Sequence, residues 1–298
     1  MSKAALGDVL TAMVTPFDAD LKVDYDKAAT LAERLMDSGS DGLVVCGTTG
    51  ESPTLTREEK LQLFRVTTAA IDDRGKIIAG TGNYCTADSV ALTKEADDAG
   101  ADGFLLVCPY YNKPPQEGLY QHFKAVAAAT EKPCILYNIP SRTGRNIEAK
   151  TTIRLSEIDN IVGIKEASGD FDMAAEVRAG TASSFCLWSG DDSATIHLLS
   201  SGGCGVISVA SHVIGSEIKQ LIEAYHSGNV ATAVELHLQW MPVFKALFIP
   251  TSVNPAPVKA ALQLTGFDVG GLRLPLVPVT EQEKAHIRFV LENFGVLH

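Results

Sequence analysis

The 298-residue sequence has no run approaching the ~20 apolar residues that a membrane-spanning helix requires. Its longest uncharged stretch, around Thr195 to Gly215, is broken by Ser and Gly between Ser200 and Gly205. The opening Met1-Ser2-Lys3-Ala4-Ala5-Leu6-Gly7-Asp8 has no apolar core of the kind a secretory signal peptide carries. There is no C-x-x-C pair: Cys46, Cys85, Cys108, Cys134, Cys186 and Cys204 are scattered. A cytoplasmic protein whose thiols stay reduced and pack as small hydrophobes is therefore expected. No H-E-x-x-H or similar spacing links the seven histidines, so no metal ligand set is expected. Positive charge is also short, with 25 Lys+Arg against 36 Asp+Glu and a net charge of −11. That balance argues against a nucleic-acid or anionic-membrane partner.

What is present is a regular alternation. Short apolar, β-branched runs begin near Val9, Gly42, Lys76, Gly103, Cys134, Ile161, Phe185 and Gly205. Helical patterns lie between them. Ala28, Leu31, Ala32 and Leu35 share one helix face. Thr56 and Glu59 have capping-box spacing, and Asp88, Val90, Ala91 and Leu92 lead a third helix. The strand runs are continuously apolar, as parallel strands buried on both faces require. Eight such units predict an α/β fold, a (β/α)8 TIM barrel, ending near residue 228. A doubly wound open sheet is the second choice, but no G-x-G-x-x-G turn follows an early strand. Residues 229–298 read as a C-terminal helical extension with helices near 229–247, 254–265 and 280–294. Pro250, Pro255, Pro257, Pro275 and Pro278 punctuate it, and no linker separates it, so it is expected to dock on the barrel.

Barrel enzymes place their chemistry where strands end. Strand 2 ends in Cys46-Gly47-Thr48-Thr49-Gly50-Glu51, whose hydroxyls and free N–H groups suit a small carboxylate or phosphate; a tight turn would use the same residues. Strand 5 ends in Tyr137 and continues Asn138-Ile139-Pro140-Ser141-Arg142-Thr143-Gly144. A phenol there can relay a proton, and Arg142 in the following loop can clamp a carboxylate; a packed Tyr and a surface Arg are the structural alternatives. Strand 6, Ile161-Val162-Gly163-Ile164-Lys165, is an apolar run ending in lysine. Desolvation favours a neutral amine, which attacks a carbonyl to form an imine; pairing with an acid such as Glu166 is the alternative. Tyr110 and Tyr111 after strand 4 suit loop packing or an oligomer contact. Asp191 or Asp192 after strand 7 suits a helix cap, and the Gly202-Gly203-Cys204-Gly205 segment makes room for a ligand or for close packing.

Together these segments resemble the dihydrodipicolinate synthase and N-acetylneuraminate lyase family of lysine-dependent class I aldolases. The resemblance runs through Ala12-Met13-Val14-Thr15-Pro16-Phe17, Gly47-Thr48-Thr49-Gly50-Glu51, Tyr137 to Gly144, Gly163-Ile164-Lys165-Glu166-Ala167-Ser168-Gly169 and Asn254-Pro255-Ala256-Pro257-Val258-Lys259. Arg142-Thr143-Gly144 looks like the synthase branch rather than the sialic-acid lyases. The resemblance implies condensation of pyruvate with L-aspartate 4-semialdehyde, in lysine and diaminopimelate biosynthesis. Lys165 would form the imine, and Tyr137, Thr48 and Tyr111 would relay protons, with Tyr111 supplied by a neighbouring subunit. Thr49 and the backbone at Ile207 would hold pyruvate, and Arg142 the semialdehyde carboxylate. It implies no metal or organic cofactor, because Lys165 supplies the electrophile, and a homotetramer built as a dimer of dimers. A lyase of the same family acting on N-acetylneuraminate or a keto-deoxy sugar acid is the nearest alternative, and a non-catalytic binding relative is the more distant one.

Feedback-inhibited members of this family bind lysine at a subunit interface near the segment after Glu51. Ser52 and Tyr110 look retained here, whereas Arg57 and Lys60 stand where such members often have histidines and Tyr84 where they have asparagine. Two added cations and a bulky phenol disfavour a cationic effector. Lysine inhibition is expected to be weak or absent, and half-inhibition at sub-millimolar lysine in a dose–response assay would overturn this.

Overall fold

The computed structural model describes residues 6–297. The reading of the first residues as lacking a leader falls partly on residues 1–5, outside those described. Eight parallel strands pair in chain order: β1 (Val9–Ala12), β2 (Gly42–Val45), β3 (Lys76–Gly80), β4 (Gly103–Val107), β5 (Cys134–Asn138), β6 (Ile161–Glu166), β7 (Cys186–Ser189) and β8 (Gly205–Ser208). The sheet closes, with β8 beside β1 and Leu10 in register with Ile207. Closure leaves no sheet edge and excludes the open doubly wound alternative. The strand starts match the apolar runs except at β7. Phe185 belongs to the preceding turn, its N–H donating to Ala182 O at 3.0 Å, so that strand begins at Cys186.

Local chemistry sets the helices as read. Asp24 caps Tyr25–Asp37, accepting from Lys27 N at 2.9 Å, and Ala28, Leu31, Ala32 and Leu35 are its buried face. Thr56 and Glu59 form the reciprocal capping box at the start of Arg57–Ile71. The third helix, Thr86–Asp98, turns Ser89, Leu92, Thr93 and Ala96 inward, so Val90 and Ala91 flank its buried face rather than define it. The C-terminal helices are Val230–Ala246, Ala256–Leu264 and Glu281–Asn293. Trp240, Val243, Phe244, Val258, Ile287 and Leu291 join the same hydrophobic cluster as the barrel strands. Among the described residues no helix is long and apolar enough to cross a membrane.

The register contains one irregularity that matters. Cys134 pairs with Ile161, but Ile135 pairs with Gly163, so Val162 is an extra residue on β6. Beyond this bulge Tyr137 pairs with Lys165, and Lys165 pairs with Trp188 on β7. A one-residue shift of a strand exchanges its two faces, so the bulge puts Lys165 in line with Tyr137. Gly163, two residues before Lys165 on the same face, leaves space for the Trp188 ring; a Cβ there would come within 2.6 Å of it.

The chain buries a second lysine. Lys259, 4% exposed, sits with its Nζ 2.6 Å from Glu51 Oε1 and donates to Gly271 O at 2.7 Å. Arg273 N–H donates to the other Glu51 oxygen at 3.0 Å, and its guanidinium forks onto Glu59. These contacts tie the C-terminal region to the turn after β2. Lys165, 5% exposed, has no carboxylate within ion-pair distance among the described residues. The two lysines therefore respond oppositely to substitution. Lys259→Met strands the Glu51 carboxylate and lowers stability by about 3–5 kcal/mol, whereas Lys165→Met removes an uncompensated amine and leaves stability unchanged or raised. Urea denaturation checks both, and a Lys259→Met midpoint equal to the parent's contradicts the assignment.

Candidate active site

Lys165 ends an apolar strand and lies under Tyr137, its Nζ 4.4 Å from the ring centroid. Burial pulls its ammonium down to about 8; Asp192 and Asp191 oppose the fall, and Arg142 assists it. About a tenth of the side chain is thus free amine at pH 7, far more than an ordinary lysine offers, and that amine is the form that attacks a carbonyl. Pairing with Glu166 does not occur. The Glu166 carboxylate accepts from Asn138 Nδ2 at 3.0 Å and from Ser168 N at 2.6 Å, consistent with successive strand residues facing opposite ways.

Tyr137 is 4% exposed, and burial pushes its phenol up to about 12, with Arg142 and the Thr48 hydroxyl pulling it back. It is held as O–H beside Thr48, which suits a group that passes a proton on rather than a standing base. Thr48, Tyr137 and Arg142 line one cavity of about 360 Å³, along with Lys60, Tyr84 and Tyr110. Arg142 lies not in an open loop but in a one-turn helix, Pro140–Thr143. Pro140 pre-sets the first turn and Gly144, at φ 65°, ends it.

The other expected residues lie around this group in different ways. Thr49 is buried, its hydroxyl accepting from Asn254 Nδ2 at 2.9 Å. Ile207 is buried on β8 beside Leu10. Tyr111 is 91% exposed at φ 66° and lines no part of the cavity of its own chain. The acids after β7 divide their work. Asp191 is the cap, accepting from Ser193 N at 2.9 Å. Asp192 caps nothing there: it is buried and reaches across to β8, accepting from Ser208 Oγ at 2.5 Å and from Val209 N and Ala210 N at 3.0 Å. It thereby fixes the end of the strand carrying Ile207 and sets a carboxylate near Lys165.

Asn254 and Asp192 were not singled out for the site. A paired acid after a strand reads first as a cap, and no local signal marks a contact between residues 49 and 254. At the outer part of the cavity, Lys60 is among the lining residues, and Arg57 is instead engaged by Glu95 at 2.5 Å. Only one of the two added cations therefore faces the cavity. Tyr84 meets Tyr110 edge-on, with centroids 5.1 Å apart.

Residues 5–294 match the dihydrodipicolinate synthetase family. The chain belongs to that family. The chain is 56% identical over 291 residues to the 4-hydroxy-tetrahydrodipicolinate synthase of Moorella thermoacetica, covering 98% of this chain and 99% of the relative. It is 54% identical to the synthase of Desulforudis audaxviator, covering 98% of each. Among solved structures, DHDPS of Cyanidioschyzon merolae with lysine bound superposes with a TM-score of 0.97 at 47% identity, covering 99% of this chain and 100% of that one. Membership in the dihydrodipicolinate synthetase family agrees with the barrel and with the resemblance carried by the strand-end motifs.

The Lys165 environment has a measurable signature. Below pH 8 the rate of pyruvate imine formation should fall about tenfold per unit, because the amine is lost to protonation. Removing the Arg142 charge (Arg142→Gln) should move the apparent pKa up, and removing the Asp192 charge (Asp192→Asn) should move it down. Borohydride quenching at a series of pH values reads both shifts, and a profile flat between pH 6 and 8 contradicts this assignment.

Proposed function

We propose that Lys165 is the imine-forming residue of a lyase that condenses pyruvate with L-aspartate 4-semialdehyde to 4-hydroxy-tetrahydrodipicolinate. The activity is that of the named relatives, and it belongs to lysine and diaminopimelate biosynthesis. The observation that carries the residue assignment is the buried amine without a counter-ion, beside Tyr137 at the end of β6.

In this mechanism the Lys165 amine adds to the keto carbon of pyruvate and water leaves. The cationic imine withdraws electrons, so the adjacent methyl gives up a proton and becomes an enamine. The enamine carbon attacks the aldehyde of the semialdehyde. The semialdehyde amine then displaces Lys165 from the imine carbon, closing the ring and freeing the enzyme. These proton transfers run through Tyr137 and Thr48, whose hydroxyls adjoin, and through Tyr111 of a neighbouring subunit. Supporting that last role, Tyr111 projects from its own chain. Thr49 and the Ile207 backbone hold pyruvate, and Arg142 binds the semialdehyde carboxylate through a bidentate contact. The chemistry calls for no metal or organic cofactor.

On this reading residues 1–228 are the catalytic barrel and residues 229–298 its helical extension. The protein acts in the cytoplasm as a homotetramer, a dimer of dimers. Borohydride reduction with pyruvate should add a pyruvate-derived mass to Lys165 and to no other lysine, and Arg142→Ala should raise KM for the semialdehyde at least tenfold while pyruvate trapping persists. An unmodified Lys165 removes the mechanism, and pyruvate release from N-acetylneuraminate without semialdehyde turnover would move the protein to the lyase branch.

A further inference from the structure

The loop after β4 is anchored to two walls of the cavity. On one side Asn112 Nδ2 donates to Tyr84 O at 3.0 Å, and Tyr84 lines the cavity with Tyr110. On the other side Lys113 lies against Gly144, which ends the one-turn helix Pro140–Thr143 that carries Arg142. A Cβ on Gly144 would stand 2.7 Å from Lys113 Cε and 3.1 Å from its Nζ. Glycine at 144 therefore serves twice: it allows the left-handed turn at φ 65°, and it leaves the seat that the lysine fills.

The backbone that delivers Lys113 to this seat has an uncommon shape. Tyr111 and Lys113 are both left-handed, at φ 66° and 43°, and Asn112 N–H donates to Tyr110 O at 2.8 Å. Residues with side chains keep that conformation only where their surroundings enforce it. Pro114 and Pro115 follow and stiffen the exit from the loop. Lys113 has no carboxylate within ion-pair distance among the described residues. Its ammonium lies instead at the end of the Arg142 turn, where the last carbonyls of a helix have no intrahelical partner and a cation is favourable.

We propose that Lys113 is a positioning residue for Arg142. By closing the carbonyl end of the turn, it sets the guanidinium for its bidentate contact with the semialdehyde carboxylate. This rests on the carboxylate role proposed above for Arg142. Two adjacent parts of one loop then serve different subunits. Tyr111 projects outward, 91% exposed, toward a neighbour, while Lys113 turns back onto its own chain and acts through its own Arg142.

Steady-state kinetics of the whole protein, with each substrate varied in turn, tests this. Lys113→Met keeps the alkyl chain and removes the charge. KM for the semialdehyde should rise roughly fivefold, the upper end of what a cation at a helix carbonyl end contributes. KM for pyruvate, and the pyruvate adduct that borohydride traps on Lys165, should match the parent's. Lys113→Arg should restore the semialdehyde KM. In an Arg142→Ala background Lys113→Met should add nothing, because its effect passes through the guanidinium. If Arg142→Ala raises the semialdehyde KM and Lys113→Met does not, the proposal is overturned and the Arg142 role stands. Fully additive effects also overturn it, since Lys113 would then bind substrate by itself. An unchanged semialdehyde KM in Arg142→Ala removes the Arg142 role and this proposal with it.

Discussion

An amine buried without a counter-charge is the constraint around which this molecule is arranged. Taking an ammonium out of water costs several kcal/mol unless an acid or a lost proton compensates. At Lys165 the compensation is partial loss of the proton. The bulge at Val162 sets the residue in line with Tyr137, Gly163 admits the Trp188 ring beneath it, and burial lowers its proton affinity while Asp192 and Asp191 oppose the fall and Arg142 assists it. Each feature is ordinary alone. Together they hold a lysine at the balance between acid and base that imine chemistry needs.

Lys259 supplies the internal control. It is as buried as Lys165, yet Glu51 meets it at 2.6 Å and Phe17 lies under it with its centroid 4.3 Å away. One buried lysine fastens the C-terminal region to the β2 turn, and the other has no such partner among the described residues. The C-terminal helices thus do more than cover the barrel. Asn254 holds Thr49, Lys259 holds Glu51 and Arg273 holds Glu59. All three grip the segment that also presents Thr48 to the cavity.

Much of the architecture was legible because parallel barrel strands are apolar on both faces and their runs are continuous. Seven strand starts and the Thr56 cap followed from sequence spacing alone, and Phe185 was misplaced only because a turn residue can be as apolar as a strand residue. Lys165, Tyr137, Thr48 and Arg142 stood out because charged or hydroxyl groups ending apolar runs are uncommon. Asp192 and Asn254 did not, because their roles come from partners 16 and 205 residues away. The bulge was equally hidden: Val162 is as apolar as its neighbours, and only pairing with β5 reveals it as the surplus residue.

That surplus residue makes the placing of the proposed imine-forming lysine a matter of counting as much as of chemistry. Strand β6 offers Ile164, Lys165 and Glu166 in succession, and which of them stands opposite Tyr137 depends on one unpaired position four residues earlier than the last of them. Were Val162 to pair with Ile135 rather than bulge, Ile164 would stand opposite Tyr137 and Lys165 opposite Asn138, turning the amine outward to the helical layer. Insertions and deletions between Gly163 and Lys165 are for this reason far more restricted than substitutions at Val162, where another apolar side chain would keep the count.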